Sequence, residues 1–130
     1  MDFKEFFEKY DAQAKIDKLA RRYKNRKIVL YGAGQYATIL FANYDLSKLN
    51  IVAVADLKYE NSQIERKFFG LDCIAPNEIK DCDCDLILIS NFDYNLFLSY
   101  LDNDILYGTK KAGIEIRPLI RLGFKDLFLK

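Results

Sequence analysis

The sequence contains no histidine and only three cysteines among its 130 residues. Without histidine the chain cannot build a Ser-His-Asp or Cys-His catalytic arrangement, nor a histidine-ligated metal site. Three cysteines without a Cys-x-x-Cys spacing support neither a disulfide framework nor a thioredoxin-like redox motif. The first five residues also lack the basic and apolar regions of a secretory signal. We therefore expect reduced thiols and a cytoplasmic location.

An excess of charge and long apolar runs are also missing. The formal net charge of +1 argues against a general nucleic-acid-binding protein, whose domain is usually basic. No apolar segment reaches the roughly 20 residues that a membrane-spanning helix needs, so we expect no membrane association. Basic residues do cluster at 21–27, where cations at a solvated helix C-terminus complement the helix macrodipole.

The apolar residues that are present form a repeating pattern. Short runs typical of buried strands occur at 28–31, 51–55, 72–74, 86–89 and 114–116. The stretches between several of these runs carry apolar residues at helical spacing. Strands that alternate with helices indicate a mainly parallel sheet. We predict a single Rossmann-like α/β domain of three layers over residues 27–130. Its five-stranded sheet has the expected order 3-2-1-4-5, with the run at 72–74 at one edge, and residues 119–130 form a short helix or strand.

Residues 1–26 are predicted to form an additional helical segment. Asp2 and Glu5 have the spacing of a capping box, and the apolar phase shifts near Asp11, where we expect a break. The first helix carries an aromatic face, which consists of Phe3, Phe6, Phe7 and Tyr10. This face packs either on the sheet of its own domain or on a partner, in a homodimer or in a larger enzyme.

The clearest chemical signal is a G-x-G-x-x-A motif at residues 32–37, between a predicted strand and a predicted helix. Gly32 permits a tight turn, Gly34 lets the backbone approach a pyrophosphate, and Ala37 keeps the helix close to the strand. Asp56 ends the next strand, near the position that binds a ribose hydroxyl in dinucleotide sites. Lys58 weakens the resulting preference for an unphosphorylated ribose. The candidate binding residues here are Gly32, Ala33, Gly34, Gln35, Tyr36 and Asp56.

The same residues also fit a tight strand-to-helix turn that binds no ligand. A second candidate pair, Ser90 and Asn91, follows the fourth predicted strand at the point where ligands lie in doubly wound sheets. These two side chains either face the ligand or cap the following helix.

Four stretches, at 28–37, 51–56, 70–79 and 85–90, resemble the Rossmann-like domains of bacterial enzymes of nucleotide-sugar and surface-polysaccharide metabolism. The N-terminal domains of pilin-glycosylation-type sugar O-acyltransferases and the C-terminal domains of sugar C-methyltransferases are similar. The resemblance implies a nucleotide or nucleotide-sugar ligand, with Gly32, Gly34 and Asp56 at the family's binding positions. The catalytic β-helix and the methyl-donor domain of those enzymes are absent from the chain, so we assign no catalytic residue.

Three functions remain open at this point. The first is a nucleotide or nucleotide-sugar binding domain. The second is an NAD-binding oxidoreductase or redox-sensing domain, for which Tyr-x-x-x-Lys pairs occur at 23/27, 44/48 and 107/111. The third is a non-catalytic interaction module of a larger enzyme. We expect no metal site, since a zinc ion would need Cys73 together with Cys82, Cys84 and a carboxylate.

Overall fold

The computed structural model describes residues 2–123 and residue 126, and across these residues the fold is mixed α/β with one six-stranded sheet. The strands are β1 (Ile28–Tyr31), β2 (Ile51–Ala55), β3 (Lys67–Phe68), β4 (Leu71–Ile74), β5 (Leu86–Ile89) and β6 (Glu115–Pro118). The α-helices are α1 (Phe3–Lys9), α2 (Ala12–Arg22), α3 (Gln35–Asn43) and α4 (Tyr94–Tyr100). Short 3-10 helices cover Leu57–Glu60 and Pro76–Asp81, and a π-helical turn at Leu101–Ile105 continues α4.

The sheet is mainly parallel, as predicted, but it has six strands where five were predicted, and its order differs from the predicted one by the added edge strand β3. Its strands follow the order β3-β4-β2-β1-β5-β6, and only β3 and β4 pair antiparallel. A two-residue turn joins these two strands, and both of its residues, Phe69 and Gly70, have positive φ angles of 49° and 82°. Such a turn matches the twist of a hairpin. Consequently β4 lies between β2 and β3 and is not an edge strand.

Helices cover both faces of the sheet. Side chains of a strand alternate between the two faces of the sheet. The central strands β1 and β5 are buried along their whole length because both faces are covered. Helices α1, α2 and α3 pack on one face, where Ile28 and Leu30 of β1 lie. Leu101 of the π-helical turn and Ile79 of the second 3-10 helix pack on the other face against Val29. The carboxyl ends of β1, β2 and β5 therefore meet at one edge of the sheet.

The N-terminal segment consists of two helices, with the break where the sequence predicts it. The carboxylate of Asp2 accepts the Glu5 N–H at 2.8 Å and caps α1. Asp11 adopts a left-handed conformation with φ of 51° and caps α2. Phe7 is completely buried in the core formed by α3 and the sheet, so the aromatic face of α1 packs on its own domain. Residues 119–123 form no regular element, and the rest of the helix or strand predicted at 119–130, apart from residue 126, lies outside the described residues.

Two residues of the basic cluster at 21–27, Arg26 and Lys27, form ion pairs within the domain. The Arg26 guanidinium lies 3.0 Å from Asp85 and 3.1 Å from Glu115, and the Lys27 ammonium lies 2.5 Å from Asp83. These ion pairs connect the end of α2 to residues at the amino-terminal edge of the sheet. Within the part of the chain that the structure describes, no helix has the length and hydrophobicity to cross a bilayer.

Candidate functional site

The turn between β1 and α3 admits only glycine at its first position. Gly32 has a φ of +117°, and a Cβ placed there would lie 2.7 Å from the carbonyl oxygen of Ser90. Because that oxygen belongs to the backbone, it cannot rotate away. The Gly32 N–H donates to the Ala55 carbonyl at 2.8 Å, so the turn is also tied to the end of β2.

Ser90 holds this turn from the neighbouring strand. Its side chain is buried, and its Oγ lies 2.6 Å from the Gly32 carbonyl oxygen and 3.1 Å from that of Tyr31. The single hydroxyl hydrogen donates to the nearer of these acceptors. The Ser90 N–H also donates to the Tyr31 carbonyl at 2.8 Å. Ser90 therefore positions the turn and is not the helix cap that the sequence left open.

Asn91 is not the cap of α4 either. Its Oδ1 accepts the Asp93 N–H at 3.0 Å, which forms a short turn leading into the helix. The cap is Asp93, whose carboxylate accepts the Leu96 N–H at 3.3 Å. Sequence reasoning missed Asp93 because Ser90, Asn91 and Asp93 are all common cap residues, and only the backbone path distinguishes them.

Asp56 and Lys58 bind the two backbone polar groups of Ala33, its N–H and its carbonyl. Asp56 Oδ2 accepts the Ala33 N–H at 2.8 Å, and Oδ1 accepts the Lys58 N–H at 3.0 Å. The Lys58 ammonium donates to the Ala33 carbonyl at 2.6 Å and lies over the rings of Tyr59 and Phe68. The sequence marks Asp56 as a ribose acceptor, but it gives no sign that the aspartate and the lysine fix the turn together.

We expect Asp56→Ala to destabilise the protein by about 1–3 kcal/mol, because it leaves the buried Ala33 N–H without an acceptor. The measurement is urea denaturation of the variant beside the native protein. Asp45→Ala is the matched control, since Asp45 also accepts hydrogen bonds from a residue two positions ahead, Ser47, but holds no second segment through its side chain. Equal shifts of the two urea midpoints would show that Asp56 stabilises only its own local turn, and that its hydrogen bond to Ala33 adds nothing measurable.

The next residues of the motif begin α3 without a side-chain cap. Gly34 occupies the cap position and is exposed, and a Cβ placed there would meet nothing within 4 Å. Gln35 is exposed as well. The other α-helices of the described region each begin at an aspartate that accepts a backbone N–H. The first-turn amides of α3 thus have no side-chain acceptor, at the carboxyl edge of β1.

Tyr36 belongs to the core and not to a binding surface. Its ring packs edge-on against Phe3 and Phe7, with centroids 5.3 Å and 4.8 Å apart. Burial raises the pKa of its phenol well above the ordinary value, so the hydroxyl stays protonated at neutral pH. Phe3 also contacts the ring of Phe92, which follows β5 and is 64% exposed. An exposed aromatic ring therefore lies on the loop that leaves β5.

The Tyr-x-x-x-Lys pairs do not gather at the glycine turn. The Tyr23 hydroxyl donates to Glu115 at 3.2 Å, on β6. Tyr44 ends α3, at the opposite end of the helix from Gly34. Tyr107 follows the π-helical turn and is 81% exposed. The structure thus gives no support to a tyrosine proton donor beside the candidate site.

The cysteines do not come together as a metal site. Cys73 packs on the face of the sheet that α3 covers, whereas Cys84 packs on the opposite face. All three cysteines, Cys82 included, are free thiols. Burial raises the pKa of the Cys73 and Cys84 thiols, which keeps both protonated. Among the described residues no three His, Cys, Asp or Glu side chains are grouped to hold a metal ion.

Comparison with known protein families identifies a match over the centre of the chain. The family described as C2185-like, N-terminal matches residues 24–99, a region that contains the glycine turn, Asp56, Lys58 and Ser90. No curated protein and no solved structure matches the chain. Because the matched region makes up more than half of the sequence, the chain belongs to the C2185-like N-terminal family.

Proposed function

We propose that this chain is a Rossmann-like domain that binds the phosphate groups of a nucleotide or nucleotide sugar at the turn between β1 and α3, and that it serves bacterial sugar or polysaccharide metabolism. The observation that carries the proposal is the start of α3. The helix begins at an exposed glycine with no side-chain cap, on a turn whose preceding residues are held in place by neighbouring strands.

The electrostatics of this position suit a phosphate. The N-terminus of a helix carries about half a positive charge and several N–H groups that lack helical acceptors. The absence of a side chain at Gly34 leaves space for an anion to reach these amides. The Lys58 ammonium adds a full positive charge next to Ala33, and only one of its three N–H donors is used there. A phosphate bound here would therefore replace water at a turn that is already formed.

Asp56 retains capacity for a ribose hydroxyl. Each of its carboxylate oxygens accepts one backbone N–H, and a carboxylate has about four acceptor positions in total. A hydroxyl donor beside the glycine turn thus has an anchored acceptor within the same site. The same geometry suits the ribose of NAD, so ligand identity must come from a binding measurement.

The first experiment is a thermal-shift panel with UDP-, GDP- and CDP-linked sugars, NAD(H), NADP(H) and coenzyme A. A ligand at a hundredfold excess over its Kd stabilises the folded state by about 2.7 kcal/mol, which shifts the Tm by several degrees. We expect nucleotide sugars to produce this shift. Stabilisation by NAD(H) alone would favour the oxidoreductase or redox-sensing alternative. No response to any ligand would contradict both functions and favour an interaction module.

Substitution of Gly34 tests the location of the site. We expect Gly34→Asp to supply the missing cap and to stabilise the free protein by about 0.5 kcal/mol. The same carboxylate occupies the proposed phosphate position and repels the ligand, so the ligand-induced Tm shift should disappear. Gly34→Ala is the matched control, with a small neutral side chain and a smaller loss of binding. An Asp variant that still responds to the ligand would place the site elsewhere.

A further inference from the structure

We infer a second anion site, separate from the glycine turn, that takes a small organic phosphate or diphosphate. A cavity of about 260 Å³ lies between α2 and the segment that follows β6. Its basic lining residues are Lys15, Lys18, Arg22 and Arg121, and Leu19 and Leu119 contribute apolar surface. No residue of the glycine turn lines it, so this inference does not depend on the function proposed above.

One side of the cavity is held together by an ion pair. The Lys15 ammonium lies 2.8 Å from Asp126 Oδ2, and the two side chains are only 20% and 8% exposed. The Gly123 N–H donates to the same oxygen at 2.6 Å. Lys15 is therefore neutralised, and the segment that carries Arg121 is tied to α2 at this point.

The other three cations have no such compensation. Within residues 2–123 and residue 126, no salt bridge involves Lys18, Arg22 or Arg121. Lys18 and Arg22 lie four residues apart on one helix, where like charges repel each other. Arg26 and Lys27, from the same basic part of the sequence, are both paired with carboxylates. Three cations without a salt bridge thus line the same cavity, and of these Arg22 also lies over the ring of Tyr23.

The shape and chemistry of the cavity favour a small phosphate ligand. Arginine presents planar forks of N–H donors that match phosphate oxygens, and two arginines reach this cavity from different segments. The leucine surface can contact the carbon part of such a ligand, and Leu119 is almost fully buried beneath the site. A nucleic-acid surface would instead extend beyond a concave space of this size, on a more basic protein.

The test is isothermal titration calorimetry with inorganic pyrophosphate. It is carried out with the 130-residue chain that carries Gly34→Asp, so that the glycine turn does not contribute to the signal. We expect Arg22→Gln and Arg121→Gln each to weaken binding by about tenfold, since each removes charge-assisted hydrogen bonds to the anion. Arg21→Gln is the matched control, because Arg21 is exposed and adjacent in sequence but does not line the cavity.

Three results would overturn the inference. The first is the absence of pyrophosphate binding, with the fold of the Gly34→Asp protein verified by circular dichroism. The second is an equal loss in the Arg21 and Arg22 variants, which would indicate diffuse attraction to a basic helix. The third is tighter binding of a single-stranded RNA oligonucleotide that depends equally on both arginines, which would assign these cations to a nucleic-acid surface. Failure of the nucleotide panel would leave this inference intact.

Discussion

Gly32→Ala should destabilise the protein by on the order of 3 kcal/mol or more, the sum of a backbone conformation unsuited to L-residues and a steric clash. The φ of +117° is one that side chains rarely adopt, and the new Cβ would lie 2.7 Å from the Ser90 backbone oxygen. Relief would require β1 and β5 to separate at their carboxyl ends, where they form the centre of the sheet. Chemical denaturation followed by circular dichroism measures the loss.

Gly34→Ala is the control for this substitution. It changes the same residue type two positions later, but there the φ is −95° and the added Cβ meets nothing within 4 Å. We expect a loss of about 1 kcal/mol or less, because alanine is a poorer N-cap than glycine but meets no clash here. An equal loss of stability in both variants would contradict this explanation. It would show that the close contact between Gly32 and the Ser90 carbonyl is not the cause of the destabilisation.

Phe7→Ala should cost about 3–5 kcal/mol, the range for removing a fully buried phenylalanine. The Phe7 ring has no exposed surface and contacts the rings of Phe3, Phe6, Tyr36 and Tyr44, with centroids 4.8–6.3 Å apart. The substitution leaves a cavity between α1 and α3. Because those contacts lie within one chain, the loss in urea denaturation should not depend on protein concentration.

Phe92→Ala is the matched control for the aromatic cluster. Phe92 also contacts Phe3 and Phe6, yet it is 64% exposed. Its removal exposes little new apolar surface, and we expect a loss below about 1 kcal/mol. A Phe7 variant as stable as the Phe92 variant would mean that α1 does not pack on this domain, and that its aromatic face serves a partner instead.

Much of the fold could be predicted from local pattern. Continuous apolar runs mark β1, β2 and β5 because strands buried on both faces need no polar alternation. The phase shift near Asp11 marks the break between α1 and α2 because a helix cannot turn its apolar face without interruption. The strand β3 escaped this reasoning because it has only two residues, and pairing with β4 through a hairpin, not periodicity, defines it.

The candidate site was predictable in part. The spacing of Gly32, Gly34 and Asp56 indicates a strand-to-helix turn with an acid near it, and the structure brings Asp56 into contact with that turn. The positioning roles of Lys58 and Ser90 were not visible, because both depend on which strands lie next to β1. Asn91 illustrates the same limit, since its residue type suits several local turns and only the path of the chain selects one.

The sequence by itself determined most of the helices and strands, since periodicity and a glycine at a strand end depend on neighbouring residues in the chain. The tertiary structure alone decided which groups meet. It placed the Ser90 carbonyl against Gly32, both Asp56 and Lys58 on Ala33, and Arg121 at one cavity with residues of α2. These contacts join residues far apart in the sequence, and no local pattern encodes the distance between them. The physical reason is that strand order, which sets those distances, results from the packing of the whole sheet.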